Sequence, residues 1–517
     1  MPQYLSPGVY VEEIDSGARP IEGVGTAVAA FIGLAERGPF NQPILCSNWT
    51  QFTKTFGGFI EGASLARSVF GYFQNGGGNS YIVRIGDGAG ENGSGSHQQP
   101  AIEAAPQGML ANLRVVALDP AATPESIKVE VVEFQHEGQD GQEGARALKL
   151  VVERDGQTVE EHHDITAGRG KSSVVNVVNA ASQVIRLEAV TGKSLEELHA
   201  GMKIALAAPS EMAVATPPAQ LTADDYVGDV SERSGVSGLE AIDEVTMVCM
   251  PDLMTAYQRG AVDLDTVQTV QLAMIAHCEL MGDRVAILDP PPGLNVQQIK
   301  EWRVDKAGYD SKYATLYYPW IGVGGGVFLP PSGYMAGIWA RNDETRGVHK
   351  APANEIVRGC VSLETQITRK EHDLLNPVGV NCIRAFPARG IRVWGARTLS
   401  SDPAWRYLNI RRLFNYLEES ILENTDWVVF EPNDPALWAR LRRTISAFLV
   451  NEWRKGALFG LTPDEAFYVK CDDETNPTEG IDVGEVVCEI GVAPVKPAEF
   501  VIFRLSQFSG GTSLVSE

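Results

Sequence analysis

Apolar and polar residues follow two alternating patterns over much of the chain. Short apolar runs typical of strands are separated by segments whose apolar residues recur every three or four positions, as along one face of a helix. Val267, Val270, Met274 and Met281, for example, fall on one side of a predicted helix. Strands that alternate with helices favour parallel pairing, so the pattern predicts an α/β layer. The predicted strands are 24–36, 81–85, 244–250, 284–288 and 314–318, and the helices begin near 64, 262 and 296.

Two longer helices are predicted in the last third of the chain, which we interpret as α+β. The first spans 403–424, and the second begins at the capping sequence Asn433-Asp434-Pro435. Its apolar stripe consists of Leu437, Leu441, Ile445, Phe448 and Leu449. At about 100° per residue, Arg440, Arg443 and Arg454 lie roughly opposite that stripe.

The composition changes between these regions. A Gly/Ser-rich linker at 86–99 precedes a stretch of alternating β-rich and polar runs, such as 128–134 and 147–153, which closes near Pro217-Pro218. We interpret residues 90–224 as a mainly β domain inserted between two parts of another unit.

Each end of the chain carries an isolated β-rich segment next to residues that break regular structure. The first contains Val9, Tyr10, Val11 and Ile14, between Pro7-Gly8 and the 17–20 stretch. The second, 499–505, contains Phe500, Val501, Ile502 and Phe503 and follows Pro494 and Pro497. Unpaired strands seek partners, so both segments are candidates for donation to a neighbouring chain. The alternative is that they add to sheets of their own chain, and the pattern alone favours neither.

Charge and cysteine content exclude several classes of function. A formal net charge of -23 argues against nucleic acid or an anionic membrane as the main partner. The seven cysteines never form a CxxC pair, so we expect no disulfide framework, no zinc site and a reducing cytosol as the place of synthesis. The N-terminus has no secretory pattern, and no membrane insertion is expected.

Candidate catalytic chemistry is sparse. Gly88, Gly90 and Gly93 fit a dinucleotide-binding pattern, but a polar run ending in Pro100 replaces the helix that such a site needs. No cofactor or metal is therefore predicted. The strongest enzymatic alternative uses Asp252 and Asp289, which each follow a predicted strand of the α/β layer, where ligand sites form. The flanking prolines and the absence of a nearby nucleophile argue against it, and we predict no enzyme.

Five long segments outside the inserted region carry a further signal: 4–43, 330–355 (PPSGYMAGIWARNDETRGVHKAPANE), 375–421, 428–438 (VVFEPNDPALW) and 448–460 (FLVNEWRKGALFG). In this order they resemble segments of contractile tail sheath proteins. The resemblance covers most of the chain outside the inserted region.

The resemblance implies a multidomain α+β and α/β protein with a sheath-type core. Its domains would be an N-terminal arm at 1–20, a middle domain at 21–89 and 225–340, an inserted outer domain at 90–224, a core domain at 341–498 and a C-terminal arm at 499–517. The two arms would donate strands to neighbouring subunits. Arg440, Arg443 and Arg454 would face an inner tube, although a merely solvated or intersubunit face fits these arginines equally well.

The implied function is structural. Subunits of this family stack as six-fold rings around a tube made of a second protein, and the sheath contracts from a metastable extended state to drive the tube outward. Expected partners are further copies of the chain, the tube protein, and baseplate and cap proteins, all within a phage tail or a tail-like particle. Besides the enzyme that would use Asp252 and Asp289, a monomeric binding module with the inserted domain as its recognition part stays open as an alternative.

Overall fold

The computed structural model describes residues 20–86 and 220–504 continuously. Between them it describes 107–110, 113–118, 126–135, 146–154, 157–165, 173–182, 184–189, 199 and 201–206. The predicted N-terminal arm with Val9, Tyr10, Val11 and Ile14 lies outside the described residues. Across the described ranges, no helix has the length and apolar character needed to cross a bilayer.

The strands are, in chain order, β1 (Ala29–Gly33), β2 (Ile44–Cys46), β3 (Ser80–Arg84), β4 (Gln107–Leu110), β5 (Leu113–Ala117), β6 (Ile127–Gln135), β7 (Arg146–Arg154), β8 (Gln157–Ile165), β9 (Ile185–Ala189), β10 (Lys203–Ala205), β11 (Met247–Cys249), β12 (Val285–Leu288), β13 (Ala314–Tyr318), β14 (Ile321–Gly322), β15 (Phe328–Leu329), β16 (Ser362–Leu363), β17 (Val380–Phe386), β18 (Gly390–Val393), β19 (Phe467–Lys470) and β20 (Glu489–Val492).

The helices are α1 (Trp49–Phe56), α2 (Leu65–Gln74), α3 (Val174–Ala181), α4 (Ala223–Val227), α5 (Pro251–Arg259), α6 (Leu264–Met281), α7 (Val296–Glu301), α8 (Ser332–Arg346), α9 (Arg369–Leu375), α10 (Leu408–Glu423), α11 (Pro435–Arg454), α12 (Pro463–Ala466) and α13 (Thr478–Asp482). A π-helical turn, Trp302–Ala307, extends α7.

The chain forms two compact units, divided between residues 88 and 89 and between 216 and 217. The larger unit contains an eight-stranded sheet in the order β18-β17-β13-β12-β11-β1-β3-β2. The six central strands pair in parallel, which confirms the prediction from the alternating pattern, and β18 and β2 pair antiparallel at the two edges. Strands β1, β11, β12 and β13 are buried along their whole length, as parallel strands covered on both faces must be.

Helices α2 and α8 pack closely against each other beside this sheet. Glycines make the close approach possible: a Cβ on Gly337 would lie 2.4 Å from the backbone oxygen of Tyr72, and one on Gly333 would lie 2.7 Å from Ser68. Side chains of both helices, including Val69 and Trp339, belong to the main hydrophobic core together with strands of the sheet.

A second hydrophobic core lies in the last part of the larger unit. It joins α10, α11 and the short sheet β19–β20 through residues such as Leu413, Leu441 and Phe448. Helix α11 begins where its sequence predicted: Asp434 caps it by accepting a hydrogen bond from the amide of Leu437 at 2.8 Å, and Pro435 occupies the first turn.

The described parts of the smaller unit, 89–216, are mainly strands. They form an antiparallel sheet in the order β10-β6-β7-β8, another in the order β4-β5-β9, and helix α3. Alternate residues of the strands, such as Val129, Val131 and Val152, fill its own core, and their neighbours along each strand point outward.

Two predictions need correction. The helix predicted at 403–424 begins only at Leu408, because Tyr407 is extended and bridges to Arg397. The predicted boundary between 340 and 341 falls inside α8, and the large sheet continues to Val393, so the main sheet ends well after that point. Residues 499–504 form no strand with any described part of the chain, so the prediction that this segment pairs with a neighbouring chain stays open.

Candidate functional site

Asp252, one of the two candidate catalytic residues, caps the start of a helix. It is fully buried at the start of α5, and its carboxylate accepts hydrogen bonds from the amides of Leu34 at 2.7 Å, Leu65 at 3.2 Å and Ser64. Burial raises the pKa of this carboxyl to about 6, although the backbone hydrogen bonds act in the opposite direction. The side chain thus ties the end of β1 to the first turn of α2.

Asp289 makes the equivalent contact with a different helix. It accepts hydrogen bonds from the amide of Ser332 at 2.8 Å and from its hydroxyl at 2.5 Å, at the N-terminus of α8. Burial raises the pKa of Asp289 to about 7. Each of the two carboxylates therefore accepts hydrogen bonds from the N-terminus of a different helix. Within the described residues, no group of three or more His, Cys, Asp or Glu side chains is arranged to hold a metal.

The small sheet β19–β20 has one buried and one exposed face. The two strands are antiparallel, with Lys470 opposite Glu489 and Phe467 opposite Val492. Phe467, Val469 and Val492 pack on the second core beneath α11. On the other face, the ring of Tyr468 covers Gly491, where an added Cβ would lie 2.1 Å from it.

The backbone pattern of this sheet leaves hydrogen-bonding groups unused at both edges. The amide of Ala493 donates to the carbonyl of Ala466 at 2.8 Å, which continues the ladder beyond β20. Because both backbone groups of a residue point to the same side in an antiparallel ladder, Ile490 and Val492 face away from β19, and Val469 faces away from β20. Among the described residues, no hydrogen bond satisfies these outward groups. We call them the open edges of the β19–β20 sheet.

Glu499 anchors the C-terminal segment to the body of the larger unit. Arg397 donates to both of its carboxylate oxygens, through Nε at 2.9 Å and Nη2 at 2.5 Å. Asn376 donates to it at 2.8 Å and the hydroxyl of Tyr407 at 3.3 Å. Burial alone would raise the pKa of Glu499, but these hydrogen bonds outweigh it and hold the pKa below its ordinary value.

Immediately after this anchor the chain becomes exposed and apolar. Phe500, Val501, Ile502 and Phe503 are 73%, 69%, 78% and 86% exposed and form no strand. Four consecutive large apolar residues with high β-propensity thus meet no sheet of their own chain within the described residues. For this segment, the alternative that it adds to the chain's own sheets finds no support.

The three arginines predicted to face a tube do not form a uniform group. Arg443 and Arg454 are exposed on one side of α11 and form no ion pair with any described residue. Arg440 is half-buried: its guanidinium pairs with Glu431 at 2.6 Å and lies 4.4 Å from the ring centre of Trp427.

The loop before α11 contains a surface residue that the sequence analysis missed. Phe430 is fully exposed and has a φ of 68°, a left-handed conformation that phenylalanine rarely adopts. Val429 beside it is 63% exposed. The segment 428–438 resembles the sheath family, but Phe430 lies in a loop without periodicity, so the sequence gives no sign that its side chain is exposed.

Two family profiles match adjoining parts of the chain. The phage tail sheath protein central domain matches residues 219–399, and the phage tail sheath C-terminal domain matches residues 400–508. Together they cover more than half of the chain, and the whole of the smaller unit, 89–216, lies outside both matches.

Among curated proteins, the tail sheath protein of Burkholderia phage BcepMu is 22% identical over 96% of this chain and 95% of its own length. The tail sheath protein of Vibrio phage KVP40 is 29% identical over 34% of this chain, and the match spans 26% of that relative.

Solved structures with a similar fold come from contractile particles. The sheath complex of an extracellular contractile injection system, PVC, in its contracted state superposes with a TM-score of 0.58 and 22% identity, covering 98% of this chain and 99% of that one. The contracted helical sheath of the anti-feeding prophage gives a TM-score of 0.57 with 22% identity, over 98% of this chain and 99% of that chain.

Proposed function

Because this chain belongs to the family of contractile tail sheath proteins, we propose that it polymerises as stacked six-fold rings around the inner tube of a phage tail or tail-like particle. A head-to-tail contact that does not close on itself generates such a filament. Contraction from a metastable extended state would then drive the tube through a target envelope. The free-energy difference needed is on the order of a few kcal/mol per subunit, summed over the array.

The observation that carries this proposal is the combination of an unpaired strand donor and an open acceptor in one chain. The exposed Phe500–Phe503 segment offers backbone and apolar side chains, and the open edges of the β19–β20 sheet offer unused amides and carbonyls. Edges of this kind pair with extended segments of other chains. In this proposal, the C-terminal arm and the N-terminal arm of neighbouring copies each add a strand to one edge.

Strand exchange of this type gives a joint that survives a large rearrangement. Backbone hydrogen bonds keep neighbouring subunits connected while their globular surfaces slide and repack. Glu499 fixes the point from which the C-terminal arm leaves its own subunit, and the residues around Pro494 and Pro497 form the tether on the other side of that anchor.

The tube-facing surface is the exposed side of α11. Arg443 and Arg454 supply positive charge that is not neutralised within the described chain, and an acidic tube surface would complement it. Arg440 contributes less, since Glu431 already pairs with it. Phe430 adds an apolar contact beside this surface.

The remaining expected partners follow from the family. The smaller unit, 89–216, would face outward from the particle, and baseplate and cap proteins would bind the ends of the filament. A structure of the anti-feeding prophage baseplate contains a chain of this fold, with a TM-score of 0.55 over 98% of this chain. The chain would be made in the cytoplasm and become part of a virion, a released particle or a cell-anchored particle.

The acceptor edge can be tested without disturbing the sheet itself. Ile490→Pro removes an amide that points away from β19, whereas Ile490→Val retains it and serves as the matched control. Electron microscopy of the purified proteins should show long hollow tubes for the wild type and Ile490→Val. Ile490→Pro, and a variant lacking residues 1–18, should give short or no tubes. Tubes of normal length from both impaired variants would refute the exchange of strands at this sheet.

The tube contact needs a separate experiment, in which the chain is co-expressed with the tube protein of its own particle. The double charge reversal Arg443→Glu and Arg454→Glu should abolish co-purification of the tube and leave self-assembly unchanged. Retention of the tube by the charge-reversed chain would remove these arginines from the proposed interface.

A further inference from the structure

Cys471 and Cys488 lie opposite each other at the end of the β19–β20 sheet. The register pairs Lys470 with Glu489, so the next opposing residues are these two cysteines. The two thiols influence each other's pKa, as neighbouring groups do, and both are present as free thiols. No spacing motif in the sequence joins positions 471 and 488.

The backbone geometry at this position suits a cross-strand disulfide. The hydrogen bond from Ala493 to Ala466 makes that pair a hydrogen-bonded one, and every second pair along the ladder repeats it. Continued by one residue, the ladder places Cys471 and Cys488 at a position of the non-hydrogen-bonded kind, in which opposing Cα atoms lie about 4.5 Å apart. That separation falls within the range of about 4.4–6.8 Å that disulfides span.

A buried asparagine holds the two strands together next to this pair. The side-chain amide nitrogen of Asn476, Nδ2, donates to Sγ of Cys471 at 3.7 Å and to the carbonyl of Val487 at 3.0 Å. Its side-chain oxygen accepts the amide of Val487 at 2.7 Å. Asn476 is 3% exposed and bonds to Cys471, just after β19, and to Val487, just before β20, so the native fold holds the two cysteines near each other.

We propose that Cys471 and Cys488 are an oxidation site, at which a small-molecule disulfide of the oxidised glutathione class converts the two thiols into an intramolecular disulfide. Cys488 is half-buried and reacts first, whereas Cys471 is fully buried and acts as the resolving thiol. The oxidation takes place in the isolated chain, whether or not the chain polymerises, and covalently joins β19 to β20.

The reaction balances with the oxidant alone. The Cys488 thiolate attacks one sulfur of the oxidant, forms a mixed disulfide and expels one thiolate. Cys471 then attacks Sγ of Cys488, closes the protein disulfide and expels the second thiolate. The protein loses two electrons and two protons, and the oxidant becomes two thiols. Burial raises the pKa of both cysteines, so the reaction should be slow at neutral pH and faster at alkaline pH.

The test uses the folded full-length chain and oxidised glutathione. After incubation, the protein is denatured, free thiols are alkylated and cross-linked peptides are identified by mass spectrometry. We expect two of the seven cysteines to lose their alkylation and a peptide pair joining Cys471 to Cys488. In Cys471→Ser, Cys488 should instead retain a glutathione adduct, and in Cys488→Ser, Cys471 should stay a free thiol.

Three results would overturn the proposal. They are full alkylation of all seven cysteines, a wild-type chain that carries glutathione on Cys488 without the cross-link, and a cross-link that forms only when the oxidant is added in denaturant. Cys360, which is half-buried, is the internal control and should form no cross-link. The wild-type measurement needs no variant to fold, so the outcome does not depend on the stability of the serine substitutions.

Discussion

Glu499 is the residue whose substitution tests the proposed anchor most selectively. Glu499→Gln keeps the shape of the side chain and removes its charge. One oxygen can still accept from Arg397 or Asn376, but the new amide group then points its hydrogens at the guanidinium of Arg397. Arg397 is 8% exposed, so it becomes a buried cation without a counter-charge.

The magnitude follows from what the substitution leaves behind. Breaking a buried ion pair from one side costs about 3–5 kcal/mol. The Glu499 side chain is 20% exposed, which places the expected cost near the lower limit of this range, at about 3 kcal/mol. That is roughly a hundredfold increase in the population in which the C-terminal segment is detached. Since the pKa of Glu499 is lowered in the folded chain, the anchor is fully present above about pH 4.5 and is lost as the pH falls through the lower folded value.

Hydrogen exchange measured by mass spectrometry is the suitable assay, because a chain with two units need not unfold in one step. The amide of Val495, which donates to the carbonyl of Ala457 at 3.2 Å, should exchange faster in Glu499→Gln. In the double variant Arg397→Met and Glu499→Gln, the loss of protection against exchange should be smaller than the sum of the losses in the two single variants. Unchanged exchange in Glu499→Gln, or strictly additive losses, would refute the anchor.

Three further predictions concern the interior and the surface of the larger unit. Burial raises the pKa of Asp289 to about 7, so its contribution to the free energy of unfolding falls as the pH rises from about 4 through 7, by at most about 1.4 kcal/mol per pH unit. Thermal unfolding of Asp289→Asn at several pH values should therefore show a weaker dependence of stability on pH. An unchanged dependence would contradict this prediction. Phe430→Gly should raise the free energy of unfolding by about 0.5–1 kcal/mol, because glycine adopts a φ of 68° without backbone strain. The same substitution should weaken tube binding, since it removes the exposed ring. A lower free energy of unfolding would argue against backbone strain at this position. Gly337→Ala should lower the free energy of unfolding by about 1–2 kcal/mol in thermal unfolding, because its Cβ would lie 2.4 Å from the backbone oxygen of Tyr72. Gly480→Ala is the control: this glycine lies in a helix with space for a Cβ, so the change should be neutral or stabilising.

The parallel sheet could be predicted because its strands are buried on both faces and separated by amphipathic helices. That arrangement leaves continuous apolar runs such as 314–318, and the predicted strand coincides with β13. The start of α11 could also be predicted, since Asp434 followed by Pro435 is a typical helix-capping sequence.

Other features depend on contacts that a linear pattern does not contain. The start of α10 is set by the bridge between Tyr407 and Arg397, and Arg397 lies before the predicted helix in the sequence. Asp252 and Asp289 follow strands as catalytic carboxylates do, but the helix starts that they cap come from residues 188 and 43 positions away. The isolation of 499–505 could be predicted from the sequence, whereas the exposure of Phe500–Phe503 in the folded chain could not.

Cryo-electron microscopy of the polymer formed by the intact chain, with its tube protein present, tests the central claim most directly. The density at the β19–β20 sheet gives the number of strands and the subunits from which they come. We predict four strands, with the arms of neighbouring subunits hydrogen-bonded to Ile490 and Val492 on one edge and to Val469 on the other. A polymer in which this sheet stays two-stranded, or in which Phe500–Phe503 folds back on its own subunit, would contradict the account.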